Sequence, residues 1–285
     1  MRLDDYDTSE RFEATVRSST RMTAVEAEAE VREILLGLDQ PDFEARPGQS
    51  IGVLVPGPHD FGHEHHFRLY TVADTESDKK AGETEITIAV RRCTYIDEYS
   101  GERFDGIASN FLCDSKPGES FEIAGPYGYA FEVPEEKDAN LILIGAGTGI
   151  APFRAFVKHI YQDIGDWRGK VRLFYGAHTG LEHIYMNEHR DDFAQYYDEA
   201  TFEAFKAVSP RPHWADPIAW EQCFETRSEE ILEMLADPKT YVYVAGLETV
   251  RDELDQLFFR MAGRETWQCR KAALIEAGRW TELLY

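Results

Sequence analysis

The sequence has little basic charge, few cysteines and no long apolar run, and each shortage excludes a class of protein. Thirty lysines and arginines stand against 53 aspartates and glutamates, so the formal net charge is −23. That charge disfavours binding to nucleic acid or to an anionic membrane surface. No apolar run approaches the ~18 residues of a membrane span, and the acidic N-terminal stretch has no apolar signal region. We therefore expect a cytoplasmic protein without membrane insertion.

The cysteines argue against a metal centre. No two of them have the C-x-x-C spacing of zinc or iron–sulfur ligands, and the gaps between them are long and irregular. We expect free thiols in a reducing compartment and no metal. The four are Cys93, Cys113, Cys223 and Cys269.

Apolar and aromatic residues are plentiful enough for two hydrophobic cores. Hydrophobic residues make up 43% of the 285 residues and aromatics 13%, which excludes a disordered chain, and the length suits two domains. The first half is rich in short strand-like segments at 50–56, 67–74 and 83–92, a spacing typical of an antiparallel barrel or sandwich. The segment 26–38 is compatible with a helix or a strand.

The second half alternates strand-like and helical segments. Apolar strands are predicted at the start of 140–162, at 171–178 and at 241–247, with a capping-box helix from Ser228 and another helix after the third strand. This alternation predicts a doubly wound parallel sheet with helices on both faces. A turn-rich passage separates the halves, so we predict a β domain over 1–136 and an α/β domain over 137–285.

Three local motifs are compatible with phosphate binding. The glycine turn at 145–152 follows an apolar strand and precedes a helix, which presents bare amides to a pyrophosphate, although a plain strand-to-helix turn is equally compatible. Arg68 and Tyr70 share one face of a strand, where arginine can clamp a diphosphate and tyrosine can stack on a heterocycle; an ordinary surface strand is the alternative. Ser109 is predicted to cap a helix whose amide end faces another phosphate.

In this order, the motifs resemble those of plant-type ferredoxin–NADP⁺ reductases, over nearly all of residues 11–285. The strings that carry the resemblance are RPGQSIGVLVPG, RLYT, AVRRCTY, ASNFLCD, GTGIAPFRAF, YGAHT, VYVAGL and the final RW…Y. The resemblance implies an N-terminal antiparallel FAD-binding β-barrel and a C-terminal NAD(P)-binding domain. It also implies an electron-transport flavoprotein with FAD and NADP(H) as cofactors.

The resemblance also implies the site residues. Thr71, near the reactive flavin nitrogen, and Tyr285, a terminal aromatic that covers the flavin and moves aside for nicotinamide, would be the catalytic residues. Arg68 would hold the FAD diphosphate, Tyr70 would stack on the flavin and Tyr95 on the adenine. The complete cofactor-binding set implied is Arg68, Leu69, Tyr70, Thr71, Ala89, Val90, Arg91, Tyr95, Ile107, Ala108, Ser109, Thr148, Ala177, His178, Ser209, Arg211, Gly246 and Leu247.

The sequence departs from the family near the nicotinamide site and at the NADP phosphate. Ala245 replaces the family's cysteine, and Leu283 stands where the family has a glutamate, with Glu282 one residue earlier. Ser209 matches the family, but Arg211 is displaced by one position. We expect NADP(H), with NAD(H) as the alternative donor. The family's adenine-stacking tyrosine falls at Cys223 or Phe224.

These features predict an FAD-containing reductase exchanging electrons between NAD(P)H and ferredoxin or another one-electron carrier protein. Two alternatives accompany this prediction. In one the chain is the flavoprotein subunit of an oxygenase or larger redox complex; in the other it is a flavin-binding assembly module with decayed nicotinamide chemistry. The net charge opposes long-range attraction to an acidic ferredoxin, unless a basic face overrides it. Candidates for that face in the first domain are Arg68, Lys79, Lys80, Arg91, Arg92 and Lys116.

Overall fold

The computed structural model describes residues 3–40, 42–57, 64–78, 82–97, 99–208 and 218–285. The chain divides into two compact units, Met1–Phe131 and Glu132–Tyr285.

The described residues of the first unit form eight strands and one eight-residue α-helix. Six of the strands close into an antiparallel barrel in the order β1-β2-β5-β4-β3-β8, while β6 and β7 form a separate two-stranded ribbon. The predicted antiparallel barrel is thereby confirmed. The elements are β1 Phe12–Arg21, β2 Val31–Leu38, β3 Ser50–Pro56, β4 His65–Asp78, β5 Glu83–Arg91, β6 Thr94–Ile96, β7 Arg103–Asp105, α1 Ile107–Asp114 and β8 Ser120–Tyr127.

Alternating side chains build the barrel core. In β5 the residues Ile86, Ile88 and Val90 are fully buried, while the residues between them are only partly buried. Such a period of two is what a sheet with one solvated face requires. The segment 26–38, compatible by sequence with a helix or a strand, contains the strand β2 at Val31–Leu38. This strand is hydrogen-bonded to β1 on one side and to β5 on the other.

The second unit is a five-stranded, wholly parallel sheet in the order β11-β10-β9-β12-β13. The predicted parallel-sheet domain is confirmed. Its elements are β9 Asn140–Ala146, α2 Ala151–Lys158 with a π-helical turn at His159–Ile164, β10 Val171–Ala177, β11 Phe202–Val208, α3 Trp220–Glu225, α4 Ser228–Ala236, β12 Thr240–Gly246, α5 Thr249–Ala262, α6 Arg264–Glu276 and β13 Trp280–Leu284.

Helices cover the central strands, which explains their continuous apolar sequences. Every residue of β10 is buried, as expected for a parallel strand enclosed on both faces. The predicted capping box at Ser228 is wrong. Ser228 is already the first helical residue of α4, Arg227 occupies the N-cap without a side-chain bond, and the amide of Ile231 bonds to the Arg227 carbonyl.

Three observations bear on the compartment and on metals. All four cysteines are free thiols. Within the described ranges, no helix has both the length and the apolarity for crossing a membrane. In the same part of the chain, no group of three or more histidine, cysteine or carboxylate side chains is placed to hold a metal ion.

His183 is a buried histidine in the second unit. Its side chain is 3% exposed, lies edge-on to the Tyr175 ring at 4.8 Å, and has an Nε2 atom without a hydrogen-bond partner. Burial, together with the nearby charge of Lys206, lowers the pKa of His183 from 6.5 to about 4. The folded protein therefore holds this ring neutral at pH values where an unfolded chain protonates it.

Acidification should destabilise the protein through His183. Between pH 6.5 and pH 4 the unfolded state binds one more proton here, so stability falls as the pH falls, by up to about 3 kcal/mol at ~1.4 kcal/mol per pKa unit. We expect His183→Phe, which keeps the ring without the titration, to flatten the decline of the free energy of unfolding across this window. The exposed His159 supplies the control. Equal pH profiles for wild type, His183→Phe and His159→Asn would contradict the assignment.

Candidate functional site

In the first unit, two hydrogen bonds attach the start of α1 to Cys93, two residues after the end of β5. Ala108 and Leu112 are buried in the barrel core, and the helix packs against β3, β4 and β5. The amide of Gly106 donates to the Cys93 carbonyl at 2.9 Å, and the amide of Cys93 donates to Ser109 Oγ at 3.1 Å. Ser109 does not cap α1, contrary to the prediction, because Gly106 is at the N-cap and the serine lies within the first turn, with its hydroxyl bonded to Cys93.

The N-terminus of α1 offers backbone amides to an anion. Gly106 provides no side-chain cap, so the amides of Ile107, Ala108 and Ser109 have no side-chain partner at the N-cap. A Cβ on Gly106 would lie 2.9 Å from Ser109 Oγ and 3.2 Å from the Cys93 carbonyl oxygen, so a larger residue would disturb the bond between Ser109 and Cys93. Arg68 on β4 is exposed, and its guanidinium donates to the preceding carbonyl at 2.8 Å.

The predicted flavin-facing residues of β4 follow Arg68. Leu69 and Thr71 are half-buried and pair with Gly52 and Ser50 of β3. Tyr70 is half-buried against the barrel core, and burial raises the pKa of Tyr70, so its hydroxyl stays protonated at neutral pH.

The predicted residues of β5 split between two faces. Val90 points into the barrel core and is fully buried, so only its backbone is available to a ligand. Ala89 is partly buried and Arg91 is exposed on the opposite face. The structure therefore separates Val90 from the two residues predicted beside it.

The ribbon of β6 and β7 carries an aromatic pair. Tyr95 lies opposite Phe104, and the two rings are stacked with centroids 5.4 Å apart and planes at 20°. The candidate site residues identified from the sequence include Tyr95 and do not include Phe104. Strand β7 has only three residues, too few to show a period, and a cross-strand partner is not readable from a local pattern.

Arg92 joins α1 to the barrel instead of contributing to a free basic face. Its guanidinium donates to Glu30 Oε2 at 2.8 Å, Asn110 Oδ1 at 2.8 Å and Asp114 Oδ1 at 2.7 Å. These bonds keep Arg92 charged, because hydrogen bonds to Asp114 and Glu30 raise its pKa. Two carboxylates therefore compensate this cation.

In the second unit, the sheet order creates a crevice between β9 and β12. From the central β9 the chain proceeds to β10 and β11 on one side, and then to β12 and β13 on the other. At such a switch point the connections diverge and leave a crevice beyond the carboxyl ends of the strands, where ligands bind in open α/β sheets. The glycine turn Gly147–Ile150 follows β9, and Leu247 follows β12.

The glycine turn passes directly over the end of β12. A Cβ on Gly149 would lie 2.2 Å from the Ala245 carbonyl oxygen, so only glycine permits this crossing. Helix α2 then begins at Ala151, with Pro152 in its first turn and no side-chain cap at either helical start. The turn therefore offers bare amides and a helix N-terminus to a phosphate.

Tyr285 lies on this turn. Its amide donates to the Gly246 carbonyl at 3.0 Å, and its carbonyl accepts the Glu248 amide at 3.3 Å. The phenol and the Thr148 hydroxyl share a hydrogen bond, while the residue is 51% exposed. The structure thus brings together Thr148, Gly246 and Tyr285, three of the predicted site residues.

The remaining predicted residues of the second unit are at or beyond the end of β10. Ala177 ends that strand and His178 follows it, next to β9. Ser209 and Arg211 lie outside the described residues. Phe224 is fully buried and stacked on Phe174 with centroids 3.9 Å apart, so its faces are occupied within the core. Cys223 is half-buried, and its thiol donates to the Lys206 carbonyl.

Glu282 does not substitute for the carboxylate missing at Leu283. It accepts Trp280 Nε1 at 2.7 Å and Arg251 Nε at 2.7 Å, and it lies 3.7 Å from Lys271 Nζ. Successive residues of a strand point to opposite faces, so Glu282 is held away from the face of Leu283. Leu283 instead pairs with Ala245 in the parallel register, which places both departures from the family side by side.

The two units fit the two expected cofactors. Arg68, the α1 amides and the Tyr95 ring suit a flavin dinucleotide with its diphosphate and adenine. The crevice at Gly147–Ile150 suits a nicotinamide dinucleotide. A barrel of this kind in one chain with a switch-point crevice is the arrangement expected of a two-domain oxidoreductase that uses a flavin and a nicotinamide cofactor.

Comparisons with known proteins agree. Residues 143–254 match the family model of the oxidoreductase NAD-binding domain. Leaf isozyme 2 of the chloroplastic ferredoxin–NADP reductase of Oryza sativa subsp. indica is 30% identical, over 98% of this chain and 77% of that protein. Ferredoxin–NADP reductase of Picosynechococcus is 29% identical, over 90% of this chain and 65% of that protein.

A solved structure shows the same fold. The ferredoxin–NADP⁺ reductase of Plasmodium falciparum superimposes with a TM-score of 0.73 at 18% identity, covering 99% of this chain and 98% of that one. On the sequence relationships, the chain belongs to the ferredoxin–NADP reductase family.

Proposed function

We propose that the protein is an FAD-containing reductase that exchanges electrons between NADP(H) and ferredoxin. The observation that carries the proposal is that one member of this family has both halves of such a site. Its barrel presents Arg68 and the amide end of α1, and its second unit has a dinucleotide crevice at Gly147–Ile150. Bound FAD would supply the conversion between a two-electron hydride and single electrons.

The first unit would hold the flavin dinucleotide by its diphosphate and both rings. The amides of Ile107, Ala108 and Ser109 would accept the diphosphate charge, and Arg68 would add a bidentate contact. Tyr70 would stack on the flavin with its hydroxyl neutral, since burial raises its pKa. Thr71 would place a hydroxyl beside the reacting edge of the ring.

The second unit would orient the nicotinamide dinucleotide. The turn at Gly147–Ile150 would bind its diphosphate, while Thr148, Gly246 and Leu247 would border the nicotinamide. Tyr285 occupies this place through its bond to Thr148, so dinucleotide binding would displace its ring. Ala245 and Leu283 make the neighbouring part of the crevice apolar. The nicotinamide ring would therefore be oriented there by the shape of the site and the exclusion of water, and not by a hydrogen bond.

NADP(H) is the preferred dinucleotide in this proposal. The curated relatives are named for NADP, and solved structures of the Plasmodium falciparum reductase include complexes with 2′P-AMP, a ligand with the additional phosphate. Ser209 and Arg211 would contact that phosphate here, and NAD(H) would bind more weakly.

Ferredoxin is the proposed carrier, and the relatives' names favour neither the oxygenase-subunit nor the assembly-module alternative. A net charge of −23 repels an acidic carrier at long range. Docking would therefore rely on short-range contacts, for which Arg91 and Lys116 are exposed in the first unit.

A cytoplasmic location is part of the proposal. It is supported by the four free thiols, whereas the Oryza relative is named as chloroplastic.

Anaerobic stopped-flow spectroscopy tests the proposal. NADPH mixed with the yellow protein should bleach the flavin absorbance faster than NADH. A second mix with [2Fe–2S] ferredoxin should reoxidise it in single-electron steps. Because salt shortens the Debye length from ~10 Å at 0.1 M to ~3 Å at 1 M, reduction of an acidic ferredoxin should accelerate as salt rises.

Two results would overturn the proposal. Absence of bleaching with both donors would favour the assembly module. Rapid bleaching, with reduction of ferricyanide but not of ferredoxin at any salt concentration, would remove ferredoxin as the carrier.

A further inference from the structure

The ribbon of β6 and β7 is the feature of the first unit least explained by the barrel. All six of its strand residues are exposed, and it pairs with no barrel strand. A two-stranded ribbon by itself is marginally stable in water. Its loop is closed by Asp97, whose carboxylate accepts the amides of Tyr99 at 3.0 Å and Ser100 at 2.7 Å.

One face of this ribbon is an aromatic platform made of two rings. Tyr95 is 58% exposed and Phe104 is 40% exposed, yet they stack on each other across the strands. With centroids 5.4 Å apart, the rings leave no space for a third ring between them. One face of Tyr95 is therefore covered by Phe104, and the opposite face is available for stacking.

The platform is close to the amide end of α1. Tyr95 is two residues after Cys93 and Phe104 is two residues before Gly106, and those residues are hydrogen-bonded to each other at 2.9 Å. At ~3.3 Å per strand residue, the rings stand about 7 Å along the ribbon from α1. A flat base on Tyr95 is thus within reach of phosphates bound at the α1 amides.

We propose that Phe104 is a positioning residue that holds the Tyr95 ring in place for the adenine of FAD. This inference rests on the proposed function, because it assumes FAD in the first unit. Without Phe104, the Tyr95 side chain rotates on an exposed ribbon. Ordering that side chain on binding then costs conformational entropy, which offsets part of the free energy gained by stacking on the adenine. With Phe104, the ring is ordered before the ligand arrives.

The consequence is selective for the adenine half of the cofactor. FMN has the flavin and one phosphate but no adenine, so it does not use the platform. Phe104 therefore contributes to the preference for FAD over FMN and not to flavin binding as such. A purely structural role for Phe104 would affect both flavins equally.

The test is a titration of apoprotein with FAD and with FMN, in which the quenching of flavin fluorescence reports binding. Phe104→Ala should raise the Kd for FAD about 3- to 10-fold, the range expected for one aromatic pair, and leave the Kd for FMN unchanged. ADP, which has the adenine without the flavin, should weaken in parallel with FAD. Phe104→Trp, which keeps a flat ring, should retain the wild-type ratio.

Ile96→Ala is the matched control on the same ribbon. Ile96 is 68% exposed and pairs with Arg103, one position along from the Tyr95–Phe104 pair and so on the opposite face. Its loss should change neither Kd. Equal weakening of FAD and FMN by Phe104→Ala, or an unchanged FAD affinity, would overturn the inference. Failure of wild-type apoprotein to bind either flavin would instead overturn the proposed function.

Discussion

Replacing Tyr285 with serine is expected to tighten the binding of NADP⁺ about tenfold or more. The wild-type ring is tied to Thr148 by its hydroxyl and occupies the turn where the dinucleotide must bind. Part of the dinucleotide's binding energy is therefore used to displace the ring, and a difference of ~1.4 kcal/mol corresponds to tenfold in Kd. Serine removes the ring and keeps the backbone bonds to Gly246 and Glu248.

Donor selectivity should not change with affinity. NADP(H) and NAD(H) must displace the same ring, so its removal should lower both Kd values by about the same factor. The ratio of the two Kd values should therefore stay near that of wild type. Isothermal titration with NADP⁺ and NAD⁺ on wild type and Tyr285→Ser measures both effects.

Tyr285→Phe separates the hydrogen bond from the ring. It keeps the ring over the turn and loses only the bond to Thr148, which is worth ~0.5–1.5 kcal/mol. Its affinity should lie between those of wild type and Tyr285→Ser. Unchanged Kd values in both variants with a lowered melting temperature would show that Tyr285 only packs, and the gating role would be wrong.

Gly149→Ala is expected to lower stability and abolish dinucleotide binding together. The added Cβ would lie 2.2 Å from the carbonyl oxygen and 2.4 Å from the carbonyl carbon of Ala245, and 2.8 Å from the Gly246 amide nitrogen. All three are backbone atoms of a central strand, so the turn itself must move. Overpacking of this kind costs about 3 kcal/mol, a fall in melting temperature of roughly 6–12 °C.

Gly180→Ala is the control for this substitution. Among the described residues, no atom beyond the two chain neighbours lies within 4 Å of the Cβ that it would add in a turn of the same unit, so stability should stay within about 0.5 kcal/mol of wild type. Thermal unfolding and NADP⁺ titration of both variants give the comparison. Wild-type stability and affinity in Gly149→Ala would mean that the turn does not cross β12 at the distance described.

Local sequence patterns were sufficient for the architecture. A period of two in 83–92 marks a strand with one face in a core, and the apolar run at 171–178 marks a strand enclosed on both faces; the structure has β5 and β10 there. These patterns are readable because burial acts on each strand separately. Longer strings in a fixed order, such as RPGQSIGVLVPG and GTGIAPFRAF, were likewise enough to indicate the family.

Helix starts were less predictable. Ser109 and Ser228 have the residue type of an N-cap, but each lies inside its helix, because the preceding residues adopt cap or helical positions first. The propensity of serine for caps is a local preference worth about 1 kcal/mol, and a bond of similar strength, such as that from the Cys93 amide to Ser109 Oγ, competes for the same hydroxyl.

What the sequence by itself determined is the identity and order of the elements and the residue types of the candidate site. Only the tertiary structure decided which side chains meet. It showed that 31–38 is a strand, that Phe104 stacks on Tyr95, that Glu282 faces away from Leu283, and that Tyr285 bonds to Thr148. The pairing of 31–38 with its neighbours and the bond between Tyr285 and Thr148 depend on contacts between segments distant in the chain, and the Tyr95–Phe104 stack depends on the register of its ribbon. Register is set by the fit of a whole sheet or core, which no local window of sequence contains.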